Sequence, residues 1–146
     1  MSEPNTEPVV VLDDRQCWRI LAAHKVGRLV TVIDSEPEIF PINYVVDGAS
    51  LVFRTAEGSK LFSVTINEHV AVEVDSWDAE GGWSVILRGR ARRITDADEQ
   101  AKAAELPLRP WVPTRKNHWV RIEPETISGR QFHFGDEPEE PVDLPE

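Results

Sequence analysis

Apolar positions recur at helical intervals first near the start of the chain. Cys17, Ile20, Leu21 and His24 follow Asp13 and Gln16, which have capping-box spacing, so a helix is expected from Asp13 to about Ala23. Gly27 lies just beyond its end, and from there the period changes to two. Arg28 to Ile33 alternates and is rich in β-branched side chains, Asp34-Ser35-Glu36-Pro37 reads as a turn, and Ile39 to Val46 as a second strand. Asp47-Gly48 is a hairpin signal before a third strand, Ser50 to Thr55. A short helix, Ser59 to Ile66, is expected after Gly58. His69 to Trp77 sets Val70, Val72 and Val74 against Glu73 and Asp75, and after Gly81-Gly82 a long strand, Trp83 to Ile94, completes a hairpin. Thr95 and Asp98 have capping-box spacing for a surface helix to about Glu105. Three prolines make 106–118 an irregular loop, and a last strand pair, Trp119 to Glu123 and Thr126 to Phe134, flanks Pro124. Six or seven antiparallel strands in so short a chain predict a closed or nearly closed barrel, because closure removes exposed edges.

With 146 residues the chain is long enough for one core and too short for two. No apolar run approaches the length of a membrane span, and the polar N-terminus, MSEPNTEP, has no leader pattern, so a cytoplasmic protein is expected. Cys17 is the single cysteine, which excludes an internal disulfide, and no metal site is readable. A net charge of −10 argues against nucleic acid or an anionic membrane as partner. Much of that charge sits in Asp136, Glu137, Glu139, Glu140, Asp143 and Glu146, among prolines, so 135–146 reads as a disordered acidic tail. Residues 1–10 read as a flexible N-terminus and 11–134 as the folded body. Arg88, Arg90, Arg92 and Arg93 suggest a basic stripe, but pairing with Glu73 and Asp75 is expected to neutralise it. His24, His69, His118 and His133 are scattered and form no nucleophilic triad.

The segment richest in chemistry is Phe53-Arg54-Thr55-Ala56-Glu57-Gly58-Ser59-Lys60-Leu61. A strand ends in Arg54 and Thr55, turns at Gly58 and starts a helix at Ser59 and Lys60. Two cations, two hydroxyls and helix N-terminal amides converge there, a combination that binds phosphate. A merely solvated strand–helix corner is the other reading of the same residues.

The helix Asp13 to Ala23, Gly27-Arg28, Phe40-Pro41-Ile42-Asn43-Tyr44, the Phe53 to Leu61 segment and Trp83-Ser84-Val85 to Arg88-Gly89-Arg90-Ala91 occur in an order that resembles the pyridoxamine 5′-phosphate oxidase-like split β-barrel flavoproteins. The likeness spans Leu12 to Phe134. It implies a mainly β fold, a six- to seven-stranded antiparallel split β-barrel with a few short helices. It also implies FMN as cofactor, its phosphate held by Arg54, Thr55, Ser59 and Lys60 and its ring lying along Pro41, Ile42, Asn43 and Tyr44, with Ser84 and Trp83 contributing from near a dimer seam. The substrate-phosphate residues of true pyridoxamine phosphate oxidases cannot be placed, so the small-molecule substrate does not transfer. The loop Leu106 to Pro113 resembles that of a short-chain subgroup close to proteins using a deazaflavin of the coenzyme F-420 type. The alternatives are therefore a deazaflavin-dependent reductase or a non-catalytic flavin or haem binder on the same fold. Trp111, between Pro110 and Pro113, has two readings, a wall of the cofactor pocket or a dimer contact.

A shallow groove on one small barrel leaves a flavin ring open to water, so a homodimer with shared cofactor sites is expected. Truncation after Phe134 is expected to leave the thermal midpoint and flavin affinity nearly unchanged, since an acidic, proline-rich tail has nothing with which to build a core. A large fall in the melting temperature of the truncated protein would show that the tail packs.

Overall fold

The computed structural model describes residues 7–109, 118–139 and 144–145. Within them the chain forms strand β1 (Val9–Leu12), helix α1 (Asp14–Ala23), strands β2 (Val26–Ile33), β3 (Glu36–Asp47) and β4 (Ser50–Thr55), and helix α2 (Ser59–Ile66). Strands β5 (His69–Trp77) and β6 (Gly81–Arg93), helix α3 (Ala97–Ala104) and strand β7 (His118–His133) follow. All strand pairs are antiparallel, in the order β1-β7-β4-β3-β2-β5-β6, and β7 also pairs with β6, which closes the strands into a ring. This is the expected split-barrel class. Strand β7 achieves the closure by offering one edge to β6 while its two halves give the other edge to β4 and β1.

Local signals explain most of the elements. Asp13 caps α1 by accepting from Gln16 N–H, and the Gln16 side chain answers from the Asp13 N–H, so the capping box is complete. The β2–β3 hairpin turns on Asp34 and Ser35, both with positive φ, and strand pairing resumes at Glu36 rather than after Pro37. The β3–β4 turn is Gly48-Ala49, one residue later than the sequence suggested, because Asp47 itself pairs with Ser50.

Four further expectations are corrected. Helix α3 is capped by Asp96, whose carboxylate accepts from Glu99 N–H, not by Thr95. The last strand pair is one continuous strand. Pro124 is tolerated in β7 because Glu125 is an extra residue, bulged out between the pairs Arg88↔Thr126 and Gly89↔Pro124. At that bulge a Cβ on residue 89 would collide with the Glu123 carbonyl, so only glycine fits. β1 lies in a segment that charge and composition had set apart, since four residues are too short to show a period. Finally, Glu73 and Asp75 pair not with the β6 arginines but with Arg28, whose Nη1 lies 2.8 Å from a carboxylate oxygen of each. Arg90 instead meets Glu68 and Glu125, Arg92 meets Glu99 and Glu123, and Arg93 meets the His118 ring.

The ring encloses the main core, with Leu21, Leu29, Phe53, Val72, Leu87, Val120 and Ile122 fully buried. Helix α1 packs on β3, β6 and β7, and α2 on β2 and β6. A second cluster, Val52, Ile94, Ala103 and Leu108, lies outside the ring, where α3 covers β4. Arg121 fastens that cover. It is half-buried, donates to Asp47 Oδ2 at 2.9 Å and Ser50 Oγ at 2.7 Å, and shares Glu99 with Arg92. Trp77, by contrast, is 71% exposed at the end of β5.

On the outer face of β2 and β5, partial burial and the neighbouring Asp75 carboxylate push the Glu73 carboxyl up to about 7, while Asp75, stabilised by its hydrogen bond with Glu73, is pulled below the usual range. The folded chain therefore keeps a proton on Glu73 that the unfolded chain has released above about pH 4.5, so this group's contribution to stability declines as pH rises from about 4.5 to 7. Glu73→Gln is expected to melt above the parent protein at pH 8 and to converge with it at pH 5. Parallel pH profiles of the two melting temperatures would exclude that account.

Candidate functional site

The β4–α2 corner assembles the residues that the sequence placed at a phosphate. β4 alternates, so Phe53 and Thr55 face the ring interior and Arg54 faces outward. The Arg54 guanidinium carbon sits 4.8 Å from the centroid of the Trp119 ring on the neighbouring strand, a cation–π contact that holds the arginine along the sheet. Thr55 is buried and donates its hydroxyl to the Ala56 carbonyl. Gly58, at φ 151°, turns the chain into α2 with no side-chain cap. A helix start without such a cap has amides and the positive end of its dipole to offer an anion, and Ser59 and Lys60 stand in that first turn. Lys60 reaches back to β3, its Nζ 3.5 Å from the Pro41 carbonyl, so the corner and the strand expected beneath a flavin ring are in contact.

On β3 the four expected residues divide by face. Ile42 and Tyr44 point into the ring, and Tyr44 is tied down by its hydroxyl, which donates to the Leu21 carbonyl at 2.6 Å. Burial pushes that phenol far above its ordinary pKa and keeps it neutral. Pro41 and Asn43 face outward. A flat ligand on this strand would therefore meet the side chains of Pro41 and Asn43 and the backbone of Ile42 and Tyr44.

Pro41 also lines a cleft of about 460 Å³ with His24, Gly27, Arg28, Asp75 and Ser76. Trp83 joins its His24 wall: the two rings meet edge to face at 4.6 Å between centroids. Ser84 pairs across β5 with Asp75. Trp83 through His24 and Ser84 through Asp75 thus neighbour residues that line the cleft, and the β4–α2 corner touches Pro41 through Lys60. Trp111, the other aromatic expected near the pocket, lies outside the described residues.

Sequence reasoning missed several residues here. His24 holds its place because its Nδ1 donates to the Ile20 carbonyl one turn back, at 2.8 Å. Its position at the end of α1 was legible, but its stacking on a tryptophan 59 positions away was not. Arg28 was read as strand sequence only. His118 and Glu57 lie 3.7 Å apart at the β4–α2 corner, with Arg93 on the other side of the His118 ring.

Residues 13–131 match the family model described as pyridoxamine 5′-phosphate oxidase. Among known proteins, Rv0080 of Mycobacterium tuberculosis is 33% identical over 136 residues, covering 88% of each chain. A solved Corynebacterium glutamicum structure, provisionally named a pyridoxamine 5′-phosphate oxidase, is 40% identical with a TM-score of 0.82, covering 92% of this chain and all of that one. A structure described as the FAD binding protein of Mycobacterium smegmatis is 45% identical with a TM-score of 0.75, covering 85% of this chain and 98% of that one. An FAD-binding protein of Mesorhizobium loti is 27% identical with a TM-score of 0.70, covering 84% of this chain and 97% of that one. With the ring, the uncapped corner and the outward face of β3 matched by a family profile over nearly the whole folded body, the chain belongs to the pyridoxamine 5′-phosphate oxidase-like family.

Proposed function

We propose that this protein is a flavin-dependent oxidoreductase of the cytoplasm, acting on a small molecule, that holds FMN by its phosphate at the β4–α2 corner. The observation that carries the reading is the contact between that corner and β3. Lys60, in the uncapped first turn of α2, lies against the Pro41 carbonyl, so a phosphate site and a flat outward strand face adjoin within one ligand's length. The donor set suits the group, with Arg54 and Lys60 as cations, Ser59 and the α2 amides as neutral donors, and Thr55 as the buried hydroxyl that shapes the strand end. FAD, named for two of the relatives, carries its first phosphate at the same place on the ribityl chain, so the corner serves either flavin. Bound there, a flavin would supply hydride transfer, and the chain supplies binding, orientation and exclusion of water.

The corner is tested by Arg54→Ala and Lys60→Ala. Each is expected to weaken FMN binding by roughly tenfold to a hundredfold, the cost of a charge-assisted hydrogen bond of about 1.5 to 3 kcal/mol, with the fold intact. Unchanged affinity in both variants removes the site. Titration of the purified protein with FMN, FAD and a deazaflavin, followed by their visible spectra, ranks the cofactors.

The second half of the proposal is a homodimer whose two-fold mate supplies the missing wall. The apolar surface available for it lies on β2, β3 and α2, where Val32, Ile39, Phe62 and Ile66 are exposed; Val30 pairs with Ile39, and the Asn67 amide ties the end of α2 to Val32. Exposed apolar surface of this kind marks an interface. Light scattering at micromolar concentration is expected to give a dimer, and Ile39→Glu a monomer with weakened flavin binding. A native monomer that binds FMN tightly would overturn the shared site.

A further inference from the structure

The Arg93–His118–Glu57 cluster is not used by the corner as described so far. β7 begins at His118, which pairs with Thr55 at the end of β4, so the imidazole stands beside the loop that leads into α2. Arg93 Nη2 lies 2.6 Å from His118 Nδ1. A guanidinium can only donate, so Nδ1 is the acceptor and the ring proton is on Nε2. That nitrogen faces the Glu57 carboxylate, 3.7 Å away, too far for a direct hydrogen bond. The two partners differ in freedom: the His118 side chain is 15% exposed and that of Glu57 is 83% exposed. Glu57 lies one residue before the N-cap Gly58, at the end of α2 that favours negative charge.

We infer that His118 is a further ligand of the phosphate, its Nε2–H turned toward the corner by Arg93, and that the Glu57 carboxylate is an internal placeholder which an incoming phosphate displaces. The inference rests on the phosphate reading of the β4–α2 corner and extends it by one ligand and one competitor. An N–H donor oriented by Arg93 and faced, among the described residues, by a well-exposed carboxylate is arranged for exchange of one anion for another. A phosphate monoester brings more charge and more acceptor oxygens than a carboxylate to the same amides and cations. Arg93 acts as a positioning residue, fixing the tautomer without touching the ligand.

FMN and riboflavin, which differ by the phosphate alone, separate these roles. His118→Ala is expected to weaken FMN binding about tenfold and to leave riboflavin binding unchanged, with His118→Gln, which keeps an N–H donor, falling between. Glu57→Gln is expected to strengthen FMN binding roughly three- to fivefold, again without effect on riboflavin. In the nitrogen NMR spectrum of the native protein, FMN and not riboflavin is expected to shift the His118 Nε2 resonance. If Lys60→Ala weakens FMN binding while His118→Gln and Glu57→Gln leave it unchanged, the corner stands and this inference is overturned. If the native protein binds FMN no better than riboflavin, the phosphate corner falls and takes this inference with it.

Discussion

Everything in this fold depends on β7 serving three partners at once. Pairing to β6 along nearly its whole length closes the ring, and pairing to β4 and β1 on the other edge fills what would be open hydrogen-bonding positions. A straight sixteen-residue strand cannot follow a curved ring, and the Glu125 bulge with Gly89 opposite lets it bend. Closure also fixes the site. Because β4 is pinned to β7, the chain leaves the sheet at Thr55 beside His118, and the helix that follows starts where Lys60 reaches the Pro41 carbonyl.

The outer surface is divided by charge as the inner one is not. In a chain of net charge −10, one arginine on each of β2, β6 and β7 is met by two carboxylates from other elements: Arg28 by Glu73 and Asp75, Arg92 by Glu99 and Glu123, Arg121 by Asp47 and Glu99. These pairs are partly solvated and contribute little stability individually. Their effect is to neutralise locally the charge that Arg28, Arg92 and Arg121 bring to the outer surface.

Elements whose signals are local were legible in the sequence. Asp13 and Gln16 announce α1 within four residues, Val70, Val72 and Val74 mark the buried face of β5, and the run from Arg54 to Lys60 announces a strand-to-helix corner at Gly58. The misreadings arise from longer range. Pro124 looks like a break because the bulge that accommodates it is visible only against Gly89, and Asp96 replaces Thr95 as a cap because tertiary position decides which oxygen meets the Glu99 amide. Alternation in β3 separates Ile42 and Tyr44 from Pro41 and Asn43 but cannot say which pair is inside; the core on Leu21 and Phe53 decides that. His118 looked scattered because Arg93 and Glu57 lie 25 and 61 positions away.

The cover that α3 places on β4 has a consequence for how copies of the chain can combine. Arg121, Asp47 and Glu99 keep that face dressed in its own helix, and the long β6–β7 ladder occupies the facing edges of those two strands. Among the described residues, β2, β3 and α2 leave Val32, Ile39, Phe62 and Ile66 exposed, and in the proposed dimer that surface meets its own image and is satisfied after a single encounter. An isologous contact of that kind ends at two subunits, whereas a head-to-tail contact leaves a face from which a chain of copies can grow.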